Sequence, residues 1–148
     1  DGMKIGYARS VWAMISLNTR KPADLLALHG GSIVDYVCDE PCPIEKPSRI
    51  KVTSTEPASS LNAKYSDIDI NGHVNSIRYI EHILDLFPIE LYKESRIRRF
   101  EMAYVAESYY GDELTFYKDY VGNGTYDIEV RKNGGEAVCR SKVIFVEK

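Results

Sequence analysis

No stretch of this chain is apolar for long enough to cross a bilayer. The longest apolar runs, such as Val143-Ile144-Phe145-Val146, fall far short of the roughly 20 residues that a spanning helix needs. The first residues, Asp1-Gly2-Met3-Lys4, show no apolar core of a secretory signal. Cysteine is scarce: Cys38, Cys42 and Cys139 are the 3 present. An odd count at no framework spacing argues for reduced thiols and a cytoplasmic protein. Cys38 and Cys42 lie near enough to suggest half a metal site. No second Cys/His pair at ligand spacing joins them, and Pro41 and Pro43 flank Cys42, so no metal is expected. An excess of charge of one sign is missing too: 19 Lys+Arg stand against 22 Asp+Glu, a net charge of −3. The whole molecule therefore has no bulk attraction for nucleic acid or membrane. There is no Gly-rich phosphate loop, and no Gly-x-Ser-x-Gly elbow of a serine hydrolase. Nothing in the sequence implies a cofactor.

What is present is an ordinary globular composition, 44% apolar and 28% charged in 148 residues, enough for a real hydrophobic core. Residues 4–18 read as a long strand, with Ile5, Tyr7, Val11, Trp12, Met14, Ile15 and Leu17 in near alternation. Residues 22–29 fit a short helix with Pro22 in its first turn and Gly30-Gly31 as its stop. Four prolines between 38 and 60 mark a linker or wrapping segment. Residues 61–66 suggest a strand. A helix follows over about 75–87, capped by Asn75 and ended by Pro88. Its expected core face is Ile77, Ile80, Leu84 and Phe87, with Ile83 beside them. Four strands come next, at about 96–109, 112–121, 125–132 and 136–147, divided by turn-forming Gly111-Asp112, Gly122-Asn123-Gly124 and Asn133-Gly134-Gly135. A helix against an antiparallel sheet is an α+β layer architecture.

Polar chemistry is concentrated just ahead of that helix, in Asp67-Ile68-Asp69-Ile70-Asn71-Gly72-His73-Val74-Asn75. Carboxylate, carboxamide and imidazole groups there sit beside the positive end of a helix dipole. A carbonyl oxygen gaining negative charge would be stabilised at such a place.

The stretch Ser66-Asp67-Ile68-Asp69-Ile70-Asn71-Gly72-His73-Val74-Asn75-Ser76-Ile77-Arg78-Tyr79-Ile80 resembles the fatty acyl-ACP thioesterase family of plants and bacteria. Two further segments are similar to that family: Tyr104-Val105-Ala106-Glu107-Ser108, after the helix, and Trp12-Ala13-Met14-Ile15-Ser16-Leu17-Asn18-Thr19-Arg20-Lys21-Pro22, near the start. The resemblance implies a hotdog fold, a curved antiparallel sheet wrapped around one central helix. Family members carry two tandem hotdogs. On that basis residues 1–57 are the end of a first repeat with its linker, and residues 58–148 are the second.

Carried over position by position, the resemblance puts the catalytic set on Asp69, Asn71, His73 and Glu107. Plant members often have Cys after that Glu; Ser108 stands here, so a thiol nucleophile is excluded at this place. Position 72 is Gly where plant enzymes commonly have Gln. Asp69 either attacks the thioester or acts as base on a water. Asn71 orients the attacking group or the carbonyl. His73 relays a proton or holds Asp69, and Glu107 activates water or fixes the imidazole. Backbone N–H groups after Asn75 are candidates for the thioester oxygen. Each residue also has a plain structural reading. Asp69 and Asn71 can be loop caps, His73 a structural histidine and Glu107 an exposed carboxylate. The separation from His73, 107 − 73 = 34 residues, suits a neighbouring central strand. His29 and His82 read as surface or packing residues. Tyr109, Tyr110, Tyr117 and Tyr120 read as packing or strand-edge residues.

The resemblance further implies a fatty acyl chain on acyl carrier protein as substrate and a place in fatty acid biosynthesis. Arg96, Arg98 and Arg99 are the candidate contacts for that acidic carrier; Arg49 and Lys51 are weaker ones. Two other readings compete: a hotdog thioesterase acting on acyl-CoA, and a non-catalytic acyl-binding or dimerisation module. Because little of the first repeat has a counterpart here, a homodimer with weak or no activity is the expected form of these 148 residues.

Overall fold

The computed structural model describes residues 3, 5–19, 21–38 and 40–148, apart from the side chain of His29. The expectation for His29 therefore lies outside the description. The chain divides into two compact units, Asp1–Pro47 and Ser48–Lys148.

The first unit has little regular structure. Among its described residues the long strand expected over 4–18 is absent. A single antiparallel bridge joins Ile15 to Pro22, closed by Ser16 N–H to Lys21 O at 3.0 Å and Ala23 N–H to Met14 O at 2.9 Å. Alternating β-formers make a strand only when a neighbour completes the hydrogen-bond ladder. Val11 and Trp12 remain 83% and 88% exposed. The helix expected at 22–29 is instead a run of 3₁₀ turns over Leu25–Tyr36, capped by the Asp24 carboxylate, which accepts from Leu26 N–H at 2.9 Å. Gly30 and Gly31 do not stop it. They take φ values of 67° and 85°, bending the path so that the turns resume.

The second unit is a five-stranded antiparallel sheet in the order β1-β3-β4-β5-β2. Its strands are β1 Ser59–Asn62, β2 Ser95–Tyr104, β3 Glu113–Gly122, β4 Thr125–Lys132 and β5 Glu136–Glu147. The last three lie within a residue of their expected places. Both hairpins turn through an asparagine in the left-handed region, Asn123 and Asn133, each at φ 49°. Gly124 beside the first is obligatory, since a Cβ there would lie 2.3 Å from the Phe145 carbonyl oxygen. β2 stops at Tyr104 rather than 109. It is an edge strand, so Glu107 sits in the loop beyond it and not on a central strand.

The helix α1, Ser76–Leu84, lies across one face of the sheet. Its buried seam is Tyr79, Ile83 and, past its end, Phe87, packed with Leu114, Phe116, Ile128, Val130, Val143 and Phe145. The seam is rotated from the expected one: Ile77 is 55% exposed, and Ile80 and Leu84 are half-buried. The cause is a tyrosine able to go under. The Tyr79 hydroxyl is hydrogen-bonded to the buried Ser108 hydroxyl, which removes the cost of burying its polar end. After Pro88 a second helix forms, α2, Ile89–Glu94. It was unexpected because six residues carry too little periodicity to be read.

The opposite face of the sheet carries paired charges. Asp127 faces Lys142 at 2.7 Å, and Glu129 accepts from Arg131 and Arg140, each at 2.7 Å. The segment ahead of β1 is tied across this unit. Glu101 Oε2 accepts from the Ser48 N–H at 2.8 Å and hydroxyl at 3.0 Å. Asp119 accepts from Thr53 and Ser54. These bonds tie residues 48–54 to β2 and β3 within the second compact unit.

Candidate functional site

The polar cluster folds as a tight loop between a short 3₁₀ turn, Tyr65–Asp67, and α1. Asp67 is buried. Its carboxylate accepts from Lys64 N–H at 2.7 Å and its carbonyl from Asn75 N–H at 2.7 Å, so one residue clasps both ends of the loop. Asp69 does the same inside it. Its Oδ1 accepts from Asn71 N–H at 2.8 Å and His73 N–H at 3.2 Å, while its own N–H donates to His73 O at 2.8 Å. This is the loop-capping geometry open to an Asp in a turn. Gly72, at φ 82°, supplies the left-handed step that brings His73 back under Asp69.

The second part of the site is the loop after β2. Val74 N–H donates to Ser108 O at 2.8 Å, and a backbone bridge joins His73 to Tyr109. The two loops are thereby stitched together, and His73 Nε2 lies 3.5 Å from Glu107 Oε2. The imidazole is 33% and the carboxylate 62% exposed, so both can meet a ligand. Asn71 is exposed at the loop tip. Of the four expected residues, the structure sets Glu107 beside the His73 imidazole, ties the Asp69 carboxylate to the His73 backbone rather than its ring, and leaves Asn71 exposed. At the helix start, Asn75 Oδ1 takes the Ile77 N–H at 2.9 Å and its carbonyl the Arg78 N–H at 2.9 Å. Those two N–H groups are thus spent on the cap.

Several neighbours were not assigned to the site from the sequence. Tyr109 sets its ring edge against His73, with centroids 5.2 Å apart, and its hydroxyl donates to Glu107 Oε2 at 3.0 Å. Lys132 donates to the Glu107 carbonyl at 2.8 Å. Ser108, fully buried, is held by Tyr79 and faces away from water. His82 packs edge-on against Phe116 and brings Nε2 to 3.4 Å from Asp67 Oδ1, without hydrogen-bond geometry. A Tyr between isoleucines on the helix was the available sign of the Tyr79 contact; the pairing of Tyr109 with Glu107 depends on a loop conformation that no periodicity encodes.

The basic cluster divides. Arg99 pairs with Glu101 at 2.6 Å, while Arg96 and Arg98 are exposed near the end of β2 farthest along the strand from Glu107. A groove of about 500 Å³, lined by Ser48, Arg49, Lys51, Ala103, Glu129 and Arg140 among others, contains none of the four expected residues. Among the described residues no cluster of three or more His, Cys, Asp or Glu is arranged to hold a metal. Cys38 and Cys42 are free and exposed. Among the described residues no helix is long and apolar enough to cross a membrane.

An antiparallel sheet with one helix across its face, and a polar loop at that helix's start, define a hotdog-fold domain of the thioesterase kind. The chain belongs to the acyl-ACP thioesterase family: the model of its C-terminal domain matches residues 50–147. An acyl-ACP thioesterase structure from Bacteroides thetaiotaomicron is 78% identical and superposes with a TM-score of 0.92, over 98% of this chain and 58% of that one. The 12:0-ACP thioesterase from Umbellularia californica, at 18% identity, shares the fold with a TM-score of 0.71 over 90% of this chain and 53% of that one. The chloroplastic palmitoyl-acyl carrier protein thioesterase of Arabidopsis thaliana is 28% identical over 72% of this chain. This chain spans 27% of that relative's length.

Proposed function

We propose that the protein hydrolyses a fatty acyl thioester carried on acyl carrier protein, and that Asp69, Asn71, His73 and Glu107 form its site. The observation that carries this reading is the open His73–Glu107 pair, 3.5 Å apart, on two loops stitched together beside the start of α1. An imidazole next to an exposed carboxylate can take a proton from water. Water oxygen then bonds to the acyl carbon, the C–S bond breaks, and the thiolate leaves with a proton returned by the same pair. The products are a free fatty acid and the carrier's thiol. Asp69 holds the His73 backbone in register, and the Asn71 amide is available at the rim to orient the carbonyl. The acidic carrier would be steered by the exposed Arg96 and Arg98. Their distance along β2 from Glu107 makes them an encounter surface rather than part of the site.

The same reading puts the protein in fatty acid synthesis, in a reducing compartment such as the cytoplasm. Its free cysteines support that. It also calls for a second hotdog beside the first, because β2 ends the sheet and an edge strand is a ready place for a neighbour to pair. A second copy of this chain would supply one. Sedimentation at micromolar concentration reads that state directly, and a clean monomer would exclude it. The deciding experiment for function is a hydrolysis assay with acyl-ACP and acyl-CoA in parallel. Weak turnover that favours acyl-ACP is expected; a preference for acyl-CoA, or no turnover of either, would overturn the reading.

A further inference from the structure

Glu107 is 62% exposed on a loop, and an exposed glutamate normally samples several rotamers. Here a neighbour two residues on restrains it. The Tyr109 hydroxyl donates to Glu107 Oε2 at 3.0 Å, the same oxygen that faces His73 Nε2. The Tyr109 ring meets the His73 imidazole edge to face, at 5.2 Å between centroids and 82° between planes. One side chain therefore touches both members of the pair. Tyr109 is itself fixed at the backbone. Its N–H donates to Asp112 Oδ2 at 2.9 Å, it bridges to His73, and Lys132 Nζ stands 5.9 Å from its ring centroid.

We propose that Tyr109 is a positioning residue, holding the Glu107 carboxylate against His73 and fixing the face of the imidazole. The inference rests on the hydrolytic reading above and adds to it a residue outside the expected set. Its physical basis is that a hydroxyl donating to a carboxylate makes a stronger bond than one between neutral groups, and that alignment of a proton acceptor acts on the chemical step rather than on substrate capture. The same contact bears on the phenol. The hydrogen bond to Glu107, then the Glu107 charge, push the phenol above its usual range.

Two measurements test this. In Tyr109→Phe the ring contact with His73 is kept and the hydroxyl lost. With acyl-ACP as substrate, kcat is expected to fall about tenfold while KM stays unchanged, as suits a lost hydrogen bond to a charged group. A wild-type kcat, or a loss confined to KM, overturns the proposal. The second measurement needs no turnover. In Glu107→Gln, Tyr109 followed by carbon NMR should titrate at lower pH than in the wild type, back toward the ordinary tyrosine value of about 10. An unmoved titration overturns the contact. If the wild-type protein hydrolyses no thioester, the hydrolytic reading fails by itself and the titration still decides whether Tyr109 holds Glu107.

Discussion

Glu107 and Glu129 are both glutamates of the second unit, and both face a base, yet their settings are opposite. Glu129 lies on the outer face of the sheet with 9% of its side chain exposed, accepting from Arg131 and Arg140 at 2.7 Å each. Glu107 lies on a loop, 62% exposed, facing an imidazole at 3.5 Å. Burial alone would push the Glu129 carboxyl up; Arg140 and Arg131 outweigh it and bring the result below the usual range. A carboxylate consumed by two guanidinium groups is kept as an ion and has no proton to trade. One left open beside a histidine is within reach of water and ligand. On the proposed reading, the difference separates a structural acid residue on the sheet from a working one on the loop beyond β2.

The sharpest way to break that comparison is to neutralise the open pair. His73→Ala and Glu107→Gln are each expected to lower acyl-ACP turnover by at least about 10²-fold. Glu107→Gln should not move the unfolding midpoint much, because exposed substitutions usually change stability by less than about 0.5 kcal/mol. If turnover held and the midpoint fell, Glu107 would be the structural acid and the assignment would reverse.

Much of this was readable in the residues, and the failures share a cause. The hairpins over 112–147 follow from turn chemistry local to Asn123-Gly124 and Asn133-Gly134. The Asp69–His73 loop was visible as a spacing of polar residues. What sequence reasoning missed depended on partners distant in the chain. Residues 5–18 have strand-like alternation but, among the described residues, no neighbouring strand. The face of α1 turned because Tyr79 found Ser108, 29 residues away. Glu107 left the strand because β2 ended early, and its contact with Tyr109 follows from that ending.

Next in size is the seam that seats α1 beneath the site. Ile83 is fully buried, and Ile83→Ala should cost about 2–5 kcal/mol in urea unfolding. Leu84, only half-buried, should cost clearly less when cut to Ala. An equal loss would restore the originally expected helix face. On the outer face, Glu129→Gln should cost about 1–3 kcal/mol, toward the low end because both arginines are partly exposed. Its folded carboxyl is held below the unfolded value. The stabilisation is therefore present above the unfolded carboxylate range and fades as pH falls through the folded one. The gap between wild type and Glu129→Gln should close in acid.

The smallest effect concerns where the folded unit begins. Asp119, half-buried on β3, accepts from Thr53 N–H at 2.6 Å, the Thr53 hydroxyl at 2.8 Å and Ser54 N–H at 3.1 Å. The Thr53 N–H bond is the main cause of a carboxyl below its usual range. Partial burial opposes it, and the Thr53 hydroxyl and Ser54 bonds add to it. Like Glu129, this is a carboxylate kept as an ion, here by neutral donors on a segment that sequence composition marks as linker. An amide in its place can accept at one position only, so Asp119→Asn should cost about 1 kcal/mol at neutral pH. The sign again follows from a lowered folded value: the cost should vanish as pH falls through the folded carboxyl's range, where the wild type loses the same bonds. A cost that persisted in acid would mean that shape, not charge, ties residues 48–56 to β3. No cost at neutral pH would mean that the tie adds nothing to stability, and the unit's energetic start would move back to residue 58.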